Sequence, residues 1–359
     1  VAAKKKATKK KKASKPEAAT PSSVVLAVLQ KKFTPSVVTT LTREKKAMAQ
    51  IREYIPTGID VVDKYVIGRG GFPVGRISET FGAEGSGKTA LIYCALGTNQ
   101  RNGGVSMLLD AEHAFDEERA EVAGINTKSL LLAYPKHLEE ALDLVITAAR
   151  AHNPKFGPFL VALDTLAALK TKSGVSLAIG EAHYRGEAQL LSDELREMPR
   201  TLHKHRTHFA IINQTRTKIG GGGYGGPEII TPGGNAPKFY TSLRLQFFGG
   251  KAIKDAHDQH IAKVTTLVCV KNRLQRPFTK AKVRFDYATG YNDRWTTVAH
   301  AKRMGVIKPR RENGETPSLA SQYEDALIEL GWAYNDKNDA AAALDGRKQS
   351  REVSEDSDD

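Results

Sequence analysis

GAEGSGKT, residues 82 to 89, fits the pattern G-x-x-x-x-G-K-[ST] at every position. Gly82, Gly85 and Gly87 let the backbone curl so that its N–H groups face phosphate at a helix N-terminus. Ala83, Glu84, Ser86 and Ala90 complete the stretch; Lys88 would reach the β- and γ-phosphates, and Thr89 would hold Mg²⁺ through its hydroxyl. FLVALD ends on Asp164, an acid at a strand end suited to the magnesium shell. SMLLDAEHAFD supplies Asp110 and Glu112, and a carboxylate near the γ-phosphate orients the attacking water. Glu112, just past the strand, is the better candidate; a helix-capping role is the alternative. The chemistry this predicts is Mg²⁺-dependent hydrolysis at the γ-phosphate of a bound nucleotide.

The elements that must position these groups are legible as apolar runs. RISETF, VSMLLD, SLLLAY, FLVALD, HFAIIN and LRLQFF read as strands separated by helical lengths of chain. That order predicts an α/β fold, a mostly parallel sheet flanked by helices, with ligands at the carboxyl ends of its strands. Residues 22 to 50 open on SSVVLAVLQKK, a short amphipathic helix, and 318 to 333 have helical spacing. Arg196, Arg200 and Lys204 recur at every fourth position, hence on one helical face, and Pro199 is expected to kink or divide that helix.

Between Thr215 and Gly234 the chain holds eight glycines in twenty residues, flanked by apolar strands. An internal structureless loop of this length is usually functional or disordered.

Composition narrows the partners. The first fifteen residues carry eight lysines and no acid, a basic arm that cannot bury enough apolar surface to fold. Net charge is +14, and +6 without those lysines (14 − 8), which points to a polyanion, with nucleic acid favoured over membrane. EVSEDSDD, with five acids, reads either as a tail competing for basic surface or as a solubility tail. No run suits a membrane span or an export signal. Cys94 and Cys269 read as buried thiols in a reducing compartment, and His203, His205 and His208 as a polar helix end rather than a metal site.

GAEGSGKT, LLDAEHAFD, VALDTLAAL, INQTRTKIG, TPGGNAPKFY and VKNRLQRPF stand in the order found in bacterial-type RecA recombinases, and residues 51 to 295 resemble that core. The resemblance implies a RecA-type P-loop ATPase core with an N-terminal oligomerisation helix and a small C-terminal region. The expected division is 1–20 basic arm, 21–50 protomer-packing helix and linker, 51–295 core, 296–344 C-terminal region and 345–359 acidic tail. It also implies that Glu112 is catalytic and that Gln214 senses the γ-phosphate. Lys271 and Arg273 would reach ATP on the neighbouring protomer; Arg273 stands where the family usually has Lys. Asp116 and Tyr287 would lie near adenine, with Arg119 in place of a stacking tyrosine.

Two DNA loops follow from the same resemblance. The first spans residues 171 to 189, where Tyr184 replaces a methionine and Gln189 an arginine, with Ser192 and Arg196 as further DNA contacts. In the second, Arg216, Lys218, Ile219 and Gly220 match the basic start, and Gly233, Gly234 and Asn235 the end. Tyr224 resembles a phenylalanine within a longer middle. Lys308, Arg310 and Arg311 could guide duplex DNA on charge alone. Phe239 would be an interface residue, as would the helix at 22 to 33. The expected function is an ATP-dependent recombinase, with ATP and Mg²⁺, that forms helical filaments on single-stranded DNA and pairs it with homologous duplex. It would work in the cytoplasm, on the nucleoid or in a phage host. A hexameric helicase motor and a DNA-coating accessory are the rivals.

Overall fold

The computed structural model describes residues 21–32, 51, 53–175, 184–217, 229–307 and 318–332. They fall in two units, divided after Arg52. In the first, α1 (Pro21–Lys32) places proline at its opening and two lysines in its last turn, the polarity a helix dipole favours. Its Val24, Val25, Val28 and Leu29 are exposed.

In the second unit β1 (Tyr54–Ile55) pairs antiparallel with β2 (Phe72–Pro73) beside a π-helical stretch, Val61–Ile67. Then strands and helices alternate: β3 (Ile77–Gly82), α2 (Lys88–Arg101), β4 (Val105–Asp110), α3 (Glu117–Val122), β5 (Leu131–Ala133), α4 (Leu138–Ala151) and β6 (Phe159–Asp164). A short α5 (Lys172–Val175) and the long α6 (Tyr184–Lys204) lead to β7 (Thr207–Gln214). β8 (Arg216–Thr217), β9 (Ile229–Ile230) and α7 (Ala236–Tyr240) precede β10 (Leu243–Lys254), β11 (His260–Asn272), β12 (Lys280–Asp286) and β13 (Gly290–Tyr291). α8 (Asp293–Met304) and α9 (Leu319–Glu329) follow.

The main sheet runs β13-β12-β11-β10-β3-β7-β6-β4-β5. From β10 to β5 every pairing is parallel; from β10 to β13 every pairing is antiparallel. The mostly parallel α/β expectation therefore holds. The continuous apolar runs reflect burial on both faces. Leu160 and Ala162 of β6, with Ala210 and Ile212 of β7, join Ile92 and Leu96 of α2 in one core. Their neighbours Val161, Leu163, Phe209 and Ile211 join Leu142 of α4 and Leu195 and Leu202 of α6 on the other.

The structure departs from the sequence reading at several points. SLLLAY yields only Leu131–Ala133, a sheet edge on which Leu131 is exposed. β11 to β13 went unforeseen because they alternate buried and open positions, as antiparallel strands with one wet face do. Pro199 does not divide α6: Leu191, Leu195, Met198 and Leu202 hold the helix to the core on both sides of the lost N–H.

His208 is buried in β7 rather than at a helix end, with Nδ1 2.7 Å from the Pro73 carbonyl and Nε2 2.8 Å from Ser78 Oγ. Burial pushes its pKa down to about 4. Cys269 is buried and Cys94 half-buried, and burial pushes both thiols up to about 11.

Candidate active site

β3 ends at Gly82 and α2 begins at Lys88, so the phosphate-loop sequence turns from the sheet's carboxyl edge into a helix N-terminus. Gly87 has φ 102°, and a Cβ there would lie 2.6 Å from Tyr291 Oη, so glycine is required twice over. That same hydroxyl donates to the Gly87 carbonyl at 2.9 Å. Ala83, Glu84 and Gly85 are exposed, Thr89 and Ala90 are half-buried, and Ser86 and Lys88 are buried. Among the described residues Ser86 Oγ has no hydrogen-bond partner. Lys88 Nζ donates to the Ala83 carbonyl at 2.8 Å, and burial lowers its pKa against the opposing pull of Asp164, Glu112 and Glu84. An orphaned hydroxyl and a desolvated ammonium at a helix start fit a polyphosphate.

Asp164 ends β6 beside β4 and faces Thr89. Burial raises its carboxyl from 3.8 to about 6, against the Thr89 hydroxyl and with help from Glu112 and Asp110. A hydroxyl and a buried carboxylate short of positive charge form an oxygen donor pair that fits Mg²⁺. Linkage gives a test. Between 3.8 and about 6 the folded chain keeps a proton that the unfolded chain has lost, so stability falls as pH rises through that window. Asp164→Asn should raise the stability of the ligand-free protein at pH 7 by about 1–3 kcal/mol. A thermal melt at neutral pH and another in acid check this; the gain should vanish in acid.

Glu112 is held by two donors. Thr165 Oγ1 donates to its Oε1 at 2.8 Å, and Gln214 Nε2 donates to the same oxygen at 2.9 Å. Asp110 takes no part in this: it is buried and accepts from the N–H groups of Ala114 and Phe115 at 3.2 and 2.9 Å. It shapes the loop that carries Glu112, which is exposed and caps no helix; Asp116 caps α3 by accepting from Arg119 N. Thr165 escaped the sequence reading, since a threonine after a strand-end acid carries no signal by itself. Thr165→Val should lower kcat several-fold, about the cost of one charge-assisted hydrogen bond, with little change in KM. Thr165→Ser, which keeps the donor, should retain the rate in a steady-state ATPase assay.

Asp116, paired with Arg119 at 3.5 Å, lies at the start of α3, and Tyr287 is half-exposed beyond β12. The Gly290 backbone lies against Val122 of α3, so these two elements adjoin.

Gln214 is the last residue of β7, and two residues on Arg216 opens β8, which pairs with β9 (Arg216↔Ile230). The glycine-rich segment thus has an antiparallel stem. Asn213 ties that stem to the core: its Nδ2 donates to Glu79 Oε1 and to the Pro232 carbonyl, both at 3.0 Å. Buried Glu79 also accepts from Arg244 at 2.5 Å. Arg216 is exposed and lowers the pKa of Glu187 on α6, which burial raises. Gly233 has φ 84°, and a Cβ there would meet Leu191 at 2.7 Å; Gly234 and Asn235 are exposed beside it. Lys218, Ile219, Gly220 and Tyr224 lie outside the described residues, as do Lys308, Arg310 and Arg311.

Ser192 Oγ and Arg196 Nε both donate to Tyr240 Oη, at 3.4 and 3.2 Å. Tyr240 was absent from the sequence reading, and Arg196 also pairs with Asp193 at 3.5 Å. Tyr184 is the first residue of α6, and Arg200 and Lys204 are exposed further along it.

Lys271 and Arg273 are at the opposite edge. Asn272 pairs with Leu243, the first residue of β10, whereas Gly82 pairs with Phe247 further along that strand. Lys271 Nζ donates to the carbonyls of Lys238 and Phe239, and Arg273 Nη2 to that of Phe239. Burial, then Arg273 and Arg244, lower Lys271 to about 8. Phe239 beside them is 63% exposed, too open for a core position. The pair is therefore remote from its own phosphate loop.

Residues 22–292 match the model of the RecA N-terminal domain. Relatives named Protein RecA include one from Nitratidesulfovibrio vulgaris strain DP4, 35% identical over 79% of this chain and 76% of its own length. Another, from Desulfovibrio desulfuricans, is 38% identical over 74% and 71%. A third, from Helicobacter acinonychis, is 37% identical over 67% and 68%.

Proposed function

The chain belongs to the RecA family and is an ATP-dependent recombinase and DNA-dependent ATPase; from that premise we propose how its residues divide the work. The triphosphate lies along Gly82–Ala90, with the Ser86 hydroxyl and the Lys88 ammonium turned to it. Thr89 and Asp164 would hold Mg²⁺, which would supply positive charge against that building on the transferring phosphate. Glu112 orients the attacking water and takes its proton as the bond from the γ-phosphorus to the bridging oxygen breaks.

The observation that carries the reading is the Gln214–Glu112 hydrogen bond. One amide reaches the hydrolytic carboxylate, and its backbone leads directly into the Arg216 stem. A γ-phosphate competes for that amide, frees Glu112 and draws the stem into its DNA-binding arrangement. Loss of the phosphate returns the amide to Glu112 and relaxes the stem, an equilibrium biased by differential contacts.

Lys271 and Arg273 serve ATP on the adjoining protomer. Lys271 pairs with Arg244, three residues or about 10 Å (~3.4 Å per residue) along β10 from Phe247, the partner of Gly82, and its ammonium is turned to the Lys238 and Phe239 carbonyls. The exposed apolar residues of α1, together with Phe239, support self-assembly into a helical filament. Asp116 and Tyr287 take the adenine side. Single-stranded DNA lies against the loops at 171–189 and 213–235, with Ser192, Arg196 and Arg216 meeting its backbone. Homologous duplex is read by base pairing between strands, so affinity is electrostatic and salt-sensitive. The proposed domain limits are 20/21, 50/51, 295/296 and 344/345, the third of which falls inside α8 (Asp293–Met304). No helix among the described residues is long and apolar enough to cross a membrane; we place the protein in the cytoplasm, on nucleoid DNA.

Joint-molecule formation between single-stranded DNA and supercoiled homologous duplex tests the reading. ATP-dependent D-loops are expected; processive unwinding without D-loops would favour a ring motor. Arg216→Ala should weaken single-strand binding and lower the salt slope, log K against log salt, by about 0.7. An unchanged slope would remove Arg216 from the phosphates.

A further inference from the structure

Lys263 is a charged residue that the ATP site described above does not use. It sits on β11, opposite Ala252 of β10, between the register shifts at Phe248/Gly250 and Ile253/Lys254. Its stem runs over Gly250, where an added Cβ would lie 2.7 Å from Lys263 Cε. Its Nζ donates to the carbonyl of Gly85 in the phosphate loop at 2.9 Å. Among the described residues no carboxylate pairs with it.

Two ammoniums therefore hold one exposed turn, Lys88 on the Ala83 carbonyl and Lys263 on the Gly85 carbonyl. They arrive from different elements, α2 and β11, and Lys263 is near enough to depress the Lys88 pKa. Lys88 already faces the carboxylates of Asp164, Glu112 and Glu84, whereas no carboxylate pairs with Lys263 among the described residues, so the Lys263 ammonium is the one left to meet an incoming anion. The Gly87 carbonyl already receives the neutral hydroxyl of Tyr291, so a further tether to the sheet does not by itself call for a cation.

We propose that Lys263 is a second phosphate-directed cation of the ATP site, positioning Gly85 and adding its charge to the field that captures the nucleotide's polyphosphate. This rests on the assignment of Gly82–Thr89 as the phosphate loop. The antiparallel half of the sheet thereby has a direct hold on nucleotide affinity. Lys263 acts through the loop and through space, so it is a positioning residue whose loss raises Kd and KM more than it lowers kcat.

The experiment is equilibrium titration of the full chain with fluorescent ADP and ATP analogues in Mg²⁺, at low and high salt. Lys263→Met should weaken both by about five- to tenfold at low salt, as loss of one charge-assisted contact does. Lys263→Arg, keeping charge and reach, should restore binding to within about twofold. The Met variant's deficit should shrink at ~1 M salt, where the screening length is about 3 Å. Lys88→Ala, titrated alongside, separates the two levels. If Lys263→Met binds as wild type while Lys88→Ala is impaired, the role of Lys263 is overturned and the phosphate loop stands. If Lys88→Ala also binds as wild type, the phosphate-loop assignment itself fails. An Arg variant as weak as Met, or a deficit indifferent to salt, overturns the charge argument in favour of a mere tether.

Discussion

Glu112→Ala should lower kcat for ATP by about 10²–10³-fold, the usual contribution of a positioned general base. The side chain is exposed and its partners are the Thr165 hydroxyl and the Gln214 amide, so its loss leaves no buried charge. Folding stability should change by less than about 1 kcal/mol. Nucleotide affinity should stay within about threefold, because Lys88, Thr89 and Asp164 are untouched. With hydrolysis slow, the γ-phosphate persists and Gln214 has no carboxylate to return to, so complexes with single-stranded DNA should outlast those of the wild type. Single-turnover ATP hydrolysis and DNA dissociation measured on one preparation check both halves. Wild-type hydrolysis would remove Glu112 from the chemistry; slow hydrolysis with unchanged DNA lifetime would cut the link through Gln214.

The second large effect needs two protomers. Lys271→Ala with Arg273→Ala should abolish most DNA-dependent ATPase activity, a loss of about 10²–10³-fold, comparable to removing a cation that meets transition-state charge. ATP binding by the free chain should survive, since both side chains lie at the strand ends opposite the phosphate loop. Lys88→Ala should fail for the opposite reason, keeping the two cations but losing the nucleotide. Mixing the two inactive proteins on single-stranded DNA should therefore regain activity at interfaces where one supplies ATP and the other the cations. No recovery over a range of mixing ratios would place both groups in a single chain's site.

The phosphate loop was readable because its chemistry needs particular residues at particular spacing. Asp164 and Glu112 were singled out because they follow continuous apolar runs, which mark strands buried on both faces. What escaped was set by long-range pairing. Tyr291 reaches Gly87 across more than two hundred residues, and Asn213 reaches Glu79 across 134. Thr165 became visible only once parallel pairing of β4 with β6 brought Asp110 and Asp164 into register. Tyr240, which gathers Ser192 and Arg196, depends on α7 lying against α6. β11 was hidden for the reverse reason: its lysines and threonines alternate with buried residues, so no run stands out. Pro199 misled because local helix cost was set against a buried face that the sequence did not reveal as continuous.

In the proposed mechanism ATP is shared between protomers and read by Gln214 on the side of the DNA loop. Electron cryo-microscopy of the protein on single-stranded DNA with a slowly hydrolysed ATP analogue tests it most directly. The expected map is a helical filament in which the γ-phosphate, held by Lys88 of one protomer, meets Gln214 of that protomer and Lys271 and Arg273 of the next, with Arg216 against the DNA backbone. A closed ring, or a filament whose nucleotide is enclosed by one chain while Gln214 still binds Glu112, would contradict it.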